Sequence, residues 1–372
     1  MFVVISFFVW RICLFVPAYL STIYLPLQHN FLGGGLGNYL QMPLFWGWAN
    51  FDGEHYLSIA QSGFGLGEQA FFPLYPLFIK FLSGRSLFSL NLWGQIISDI
   101  SFLVALFGFY KLMRLDFSEK ISRLAVILML IFPTSFYFAA VYTESLFLAL
   151  VVWSFYLARK DKWLPASLLG MFSSGTRVIG IILLPVLLVE YFVQKRKLAP
   201  SAYFLFTLLL IPLGLFAYMF FLYRTTGDAF KFFHALSTFG EQRSSALILL
   251  PQVFYRYILK ILPNINYSYF AGTFTTVMEF IVGLLFLFMS IYSFFKLRLS
   301  YALFLSLGYL IPTFSGSFSS LPRYVLILFP VYIIWATWLQ AKPLVAKSLV
   351  FTFLFLLLII SLSMFFRGYW LS

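Results

Sequence analysis

Runs of about twenty apolar residues recur along the whole chain, each long enough to cross the roughly 30 Å hydrocarbon core of a bilayer as a helix. No other feature limits the fold so strongly. Bounded by charges or by Gly and Pro, such runs lie at 2–27, 89–110, 121–140, 141–158, 199–223, 272–295, 299–314, 323–341 and 346–366. Charged residues are only 10% of the chain, against about 25% in soluble domains, so a water-soluble surface is excluded. The sequence reads as an all-α polytopic membrane protein, a single integral membrane domain over residues 1–372.

Segment 164–194 is long for one crossing and carries Ser173-Ser174-Gly175-Thr176-Arg177 in its middle, which suits two short helices meeting at a polar break. Charge favours that hairpin. With it, Lys111, Arg114, Lys120 and Arg123, then Arg159, Lys160 and Lys162, then Lys195, Arg196 and Lys197, then Lys296 and Arg298, and finally Lys342 and Lys347 all fall on one side. They are more than half of the 25 basic residues, and such a bias in short loops marks the cytoplasmic side. The chain then crosses about eleven times, N-terminus inside and C-terminus outside, with two large outer loops at 28–70 and 224–271.

The first apolar run contains Arg11 and lacks a basic n-region and a small-residue cleavage site, so a retained helix is expected rather than a cleaved signal. Arg11 and Asp99 lie at similar depths in the first two long spans, and an unpaired charge there is expensive, so the two are expected to meet. Cys13 is the sole cysteine, which excludes an intramolecular disulfide and a thiolate metal cluster. The net charge of +13 follows from the inner loops and forms no basic stripe, so nucleic acid is not an expected partner.

Chemistry is expected in the first outer loop, which holds Asp52, Glu54 and Glu68 but no Lys or Arg. Its stretch Phe51-Asp52-Gly53-Glu54-His55-Tyr56 reads as a turn entering a short amphipathic helix, with Asp52 as N-cap and Glu54 in the first turn. Asp52 and His55, three apart, share a face. One reading is a capped interfacial helix and nothing more. The other is a carboxylate base beside an apolar surface, tuned to deprotonate a hydroxyl. Asp52 and Glu54 also form a D-x-E pair able to hold a divalent cation, although no cofactor or metal is expected to be required. The following Gln69-Ala70-Phe71-Phe72-Pro73-Leu74-Tyr75-Pro76-Leu77 reads as a non-helical, interfacial re-entrant segment. Three more polar signals sit at outer span ends: Tyr142-Thr143-Glu144-Ser145, Thr176-Arg177 and Leu321-Pro322-Arg323-Tyr324. Each arginine either snorkels to headgroups or offers its fork of donors to a lipid phosphate.

Taken in order, these residues resemble the PIG-V mannosyltransferase family, whose eukaryotic members add the second mannose in glycosylphosphatidylinositol anchor assembly. The likeness rests on Asp52-Gly53-Glu54-His55-Tyr56, Ile59-Ala60 and Gly63-Phe64, on Ala70-Phe71-Phe72-Pro73-Leu74-Tyr75-Pro76, and on the three later signals. Arg11 in the first span also looks like the family's pattern. The resemblance implies a GT-C type helical bundle with an acidic first outer loop, a polyprenyl-phosphate sugar as donor, a lipid or glycan acceptor, and inversion at the sugar carbon. It makes Asp52 the base; Glu54 and His55 are the further catalytic candidates, and Tyr142, Glu144, Arg177, Arg323 and Glu68 the candidate substrate-binding residues. Phe51 stands where many relatives carry Trp. The chain is shorter than eukaryotic members, which points to a prokaryotic plasma membrane, with the endoplasmic reticulum as the eukaryotic counterpart.

Two other classes remain open. A transporter or lipid flippase would use Asp99, Glu144 and Glu279 as pathway residues, yet no internal repeat of the transporter kind is visible. A non-catalytic subunit of a glycosylation complex would keep the fold without the chemistry.

Overall fold

The computed structural model describes residues 1–84, 86–195, 201–235 and 246–371; Arg196 and Lys197 of the expected inner loops lie outside them. Among the described residues every regular element is helical. Four helices are long and apolar enough to cross a bilayer: Phe2–Tyr24, Leu87–Met113, Phe270–Lys296 and Leu344–Phe366. Two pairs pass the same test only together, Ala202–Leu208 with Leu213–Thr226 bent by 44°, and Leu321–Ile327 with Pro330–Gln340 bent by 80°. Pro212 and Pro330 stand at the two breaks, where the missing N–H and the ring interrupt the helical ladder. The other expected crossings fall on helices shorter than a bilayer.

The first helix shows why the bundle belongs in lipid. Val3, Phe7, Trp10, Leu14 and Ala18 face the core at helical spacing, while Ile5, Phe8, Ile12, Val16, Tyr19 and Ile23 point outward and are exposed. Apolar residues on both faces suit a helix with protein on one side and hydrocarbon on the other. Helix Glu144–Arg159 is buried almost all round and forms the centre of the bundle.

Segment 163–195 folds back on itself. Helix Trp163–Thr176 ends at Arg177, a turn of 3-10 helix covers Val178–Ile182, and helix Leu183–Lys195 returns, placing the Trp163 and Tyr191 rings 5.5 Å apart. Gly180 makes the reversal possible, since a Cβ there would lie 2.4 Å from the Ser173 carbonyl carbon. Arg159 pairs with Asp116, Lys111 lies over Trp153 and Arg123 over Phe2, so these basic residues gather at one end of the bundle with the start of the first helix. The first loop and the last residues occupy the opposite end, where Gln28 N–H donates to Arg367 O at 2.9 Å.

Three local expectations need correction. Run 121–140 is not one helix: Glu119–Leu130 stops before Pro133, and a 3-10 turn at Ser135–Phe138 follows. Pro73 and Pro76 do not prevent a helix, because they sit at the start of Leu74–Leu82, where the first N–H groups have no intrahelical acceptor. Asp52 is the first residue of helix Asp52–Ser62 rather than its N-cap; Phe51 takes that place and has no side chain able to cap it.

Between the first two long helices, Arg11 Nε lies 3.0 and 3.2 Å from the two Asp99 oxygens. Its guanidinium also stacks over Trp48, 4.2 Å from the ring centroid. The ion pair thus ties the first helix to its neighbour and to the first loop.

Candidate active site

The first loop is fastened to the last helix by Asn50. Its Oδ1 accepts from Gly33 N–H at 2.8 Å, and its Nδ2 donates to the carbonyls of Phe365 and Phe366 at 2.9 and 3.2 Å. Phe51 N–H then donates to Phe31 O at 2.8 Å, and Tyr142 Oη bridges Asn50 O, to which it donates at 2.9 Å, and Asp52 N–H, from which it accepts at 3.2 Å. These bonds hold Phe51 at φ 58°, ψ −117°, a conformation unfavourable for any residue with a Cβ. The consequence is directional: Asp52 is turned into a cavity of about 590 Å³.

Four ionised side chains from distant parts of the sequence meet in its wall. Arg323 Nη1 donates to Asp52 Oδ2 at 2.6 Å, and Arg323 Nε lies 3.6 Å from Glu144 Oε1, an ion-pair contact too long for a hydrogen bond. Arg177 Nη1 donates to Glu144 Oε1 at 2.6 Å and to Thr143 Oγ1 at 3.1 Å. The order Asp52–Arg323–Glu144–Arg177 alternates sign, so each charge has an opposite neighbour. Two polar atoms in this chain, Arg323 Nε and Glu144 Oε2, are buried without a hydrogen-bond partner. Tyr324 closes the set, its ring centroid 5.3 Å from the Arg177 guanidinium and 5.1 Å from that of Arg323.

His55 lies one turn along the helix from Asp52 and also lines the cavity. Its Nδ1 is 3.1 Å from Glu68 Oε1, and its ring stacks on Phe71 at 4.8 Å. Burial pulls the imidazole down, but the Glu68 hydrogen bond and the charges of Asp52, Glu68 and Glu54 outweigh it, so His55 is held above its usual range. Burial pushes the Glu68 carboxyl up, while His55 and the Gly65 N–H pull it further down, leaving it below the usual carboxylate range.

Asp52, His55, Glu144, Arg177 and Arg323 are therefore brought together around one cavity. Three other expected site residues are not part of its lining. Glu54 points to the Gly34–Gly35 turn, accepting from Gly35 N–H at 3.1 Å, and burial raises its carboxyl. It does not converge with Asp52 on a shared D-x-E cation site. Among the described residues no three His, Cys, Asp or Glu side chains group as a cation site. Tyr142 supports Asp52 from behind, and Glu68 supports His55. Sequence reasoning passed over Asn50, whose position beside the Phe51-Asp52 turn was its only signal, and Phe31, Ser320 and Trp370. Phe31, Phe51 and Ser320, three of the four described non-glycine residues with positive φ, all line this cavity. Strained backbone of this kind clusters at active sites and ligand clamps, which makes this cavity the candidate site.

No family model and no curated protein matches the chain by sequence. In structure it is similar to the crystal structure of ArnT from Cupriavidus metallidurans bound to undecaprenyl phosphate, with a TM-score of 0.50 and 15% sequence identity over 90% of this chain. The chain spans only 60% of the length of that protein. The likeness is one of fold, that of a GT-C type helical membrane bundle.

Proposed function

We propose that the protein is a GT-C glycosyltransferase that moves a sugar from a polyprenyl-phosphate donor to a hydroxyl of a lipid-linked or glycan acceptor, with inversion, at the outer or lumenal membrane face. Mannose is the sugar suggested by the PIG-V resemblance. The observation that carries this reading is the Asp52–Arg323–Glu144–Arg177 chain in the cavity wall. That the similar ArnT structure is bound to undecaprenyl phosphate supports a lipid-phosphate donor.

Each group then has a task. Arg177 and Arg323 present guanidinium donors to the oxygens of the donor phosphate, and Val178, Ile179, Ile311 and Ile327 give the same cavity an aliphatic wall for the prenyl chain. The acceptor oxygen attacks the anomeric carbon on the side opposite the phosphate. As that bond forms, the sugar–phosphate C–O bond breaks, its electron pair leaves with polyprenyl phosphate, and the hydroxyl proton passes to Asp52. His55, held by Glu68, stands one helical turn from the carboxylate, and the surrounding acids favour its protonated form. Arg323 has two possible partners, Asp52 and an incoming phosphate, so donor binding draws it from Asp52 and frees the base only when there is something to react with.

The test supplies membranes containing the protein with radiolabelled polyprenyl-phosphate mannose and identifies the labelled product. A labelled glycolipid or glycan is expected. Donor left unconsumed under all acceptor conditions would overturn the reading.

A further inference from the structure

Three aromatic rings in the same cavity take no part in the ionic chemistry. The rings of Phe31 and Phe51 stack with centroids 6.3 Å apart, and Trp370 meets Phe51 edge-on at 5.3 Å and 83°. Phe51 is buried, but Phe31 stays 60% exposed and Trp370 38%. Their backbone is fixed all the same. Phe31 and Phe51 have φ values of 59° and 58°, joined by the Phe51 N–H to Phe31 O bond. Trp370 O accepts from Thr275 Oγ1 at 3.2 Å, and Leu371 O from Tyr137 Oη at 2.5 Å. An interfacial anchor needs only a ring near the headgroups; it does not need two strained residues setting the angle between rings.

We infer that Phe31, Phe51 and Trp370 form a platform for a sugar ring of the acceptor. This rests on the glycosyl-transfer reading and adds the acceptor's chemical class. A pyranose has an apolar C–H face and a rim of hydroxyls, so it pairs with an aromatic face on one side and a hydrogen-bond acceptor at its edge. Both are side by side here, because Asp52 directly follows Phe51 in the chain and lines the same cavity. An alkyl chain gains nothing from the carboxylate and has the aliphatic wall instead. A ring lying on Phe31 and Trp370 presents an edge hydroxyl toward Asp52, which is the geometry that proton removal requires. The donor's transferred sugar shares the same chemistry, so the experiment separates the two sources.

The full-length protein in lipid nanodiscs is titrated with methyl α-mannopyranoside and methyl β-glucopyranoside, reading saturation transfer to the sugar C–H protons by NMR. Phe31→Ala, Phe31→Leu, Phe31→Tyr and Trp370→Ala are compared with the wild type. Saturation transfer is expected for the wild type and Phe31→Tyr, and to fall about three- to tenfold in Trp370→Ala, Phe31→Ala and Phe31→Leu, the worth of one aromatic contact. Phe31→Leu keeps an apolar side chain, so its loss cannot be assigned to unfolding of the loop. In the transfer assay the acceptor KM should rise by the same factor while the donor KM stays within about twofold. No saturation transfer to either glycoside, or equal transfer in all variants, would overturn the platform. A rise in donor KM alone would assign it to the donor's sugar and overturn the acceptor assignment. Ring-dependent sugar contact without any wild-type transfer of label would defeat the transferase reading and the acceptor assignment with it, leaving a sugar-binding platform alone.

Discussion

At each end of the bundle a cluster joins two arginines to two carboxylates, and the central helix contributes to both: Glu144 at its start and Arg159 at its end, about 22 Å apart at 1.5 Å per residue. At the basic end, Arg159 grips Asp116 through two bonds of 2.6 and 2.8 Å, and Glu190, fully buried, accepts from Arg298 and Gln194 at 2.8 Å each and from Ser300. None of these four ionised groups has a buried polar atom without a partner. At the loop end, Arg323 and Glu144 each keep one, beside a cavity and next to strained backbone. The difference teaches how to tell a clamp from a site. Charge pairing occurs in both, but only the loop end leaves hydrogen-bonding capacity unspent where a ligand can enter.

Breaking the basic end should cost stability and nothing else. Glu190→Ala leaves Arg159 and Arg298 without their shared acid, so a loss of about 3 to 5 kcal/mol is expected in thermal unfolding, with transfer per folded molecule unchanged. A drop in specific transfer at full stability would dissolve the distinction between the two ends. Asp52→Asn should do the reverse. It removes the basic lone pair at nearly constant shape, so transfer should fall about 100-fold or more while the protein folds. Because Arg323 is then no longer tied by a carboxylate, donor affinity should hold or improve; weaker donor binding would argue against the exchange of partners. Glu54→Gln is the matched control, expected to retain near-normal transfer because Glu54 serves the Gly35 turn.

A finer contrast comes from the arginines. Arg177→Lys should raise the donor KM about tenfold, since a point charge replaces the fork while Glu144 keeps its partner. Arg298→Lys at the basic end should leave donor KM where it was. The smallest effect expected is that of pH on the first loop. His55 is raised in the folded state, so its stabilising contribution is full below the ordinary imidazole value of 6.5 and is lost as pH rises through the raised value. Glu68 is lowered, so its contribution is full above the ordinary carboxyl value of 4.5 and is lost as pH falls through the lowered one. Protection of the Asp52–Ser62 helix amides, taken relative to their intrinsic exchange rate at each pH, should therefore be greatest between those two values, and Glu68→Gln should flatten the alkaline side. An unchanged profile in that variant would remove the pair from the account.

Particular residues show where sequence reasoning carried and where it stopped. Arg11 and Asp99 could be matched because helical rise converts sequence position into depth, and the structure places them 3.0 Å apart. Glu190 was readable by the same rule, as an acid in an apolar helix that must find a partner, but its partners Arg159 and Arg298 come from the ends of two other helices. Asp52 was read as an N-cap, but the turn at Phe51, not a cap bond, directs it. Glu54, two residues away, could not be told from Asp52 by spacing.

The sequence by itself determined the solvent, because hydrophobicity adds along the chain and twenty apolar residues commit a helix to lipid whatever surrounds it. It also located the acidic loop and the break at Arg177, both of which depend only on neighbours in sequence. Which carboxylate faces the cavity was decided by tertiary structure alone. Asp52 and Arg323 are 271 residues apart, and their meeting depends on the rotation of short elements about one another and on one positive φ. Neither leaves a period in the sequence, because each is set by contacts with the last helix and with Tyr142 that exist only once the bundle has closed.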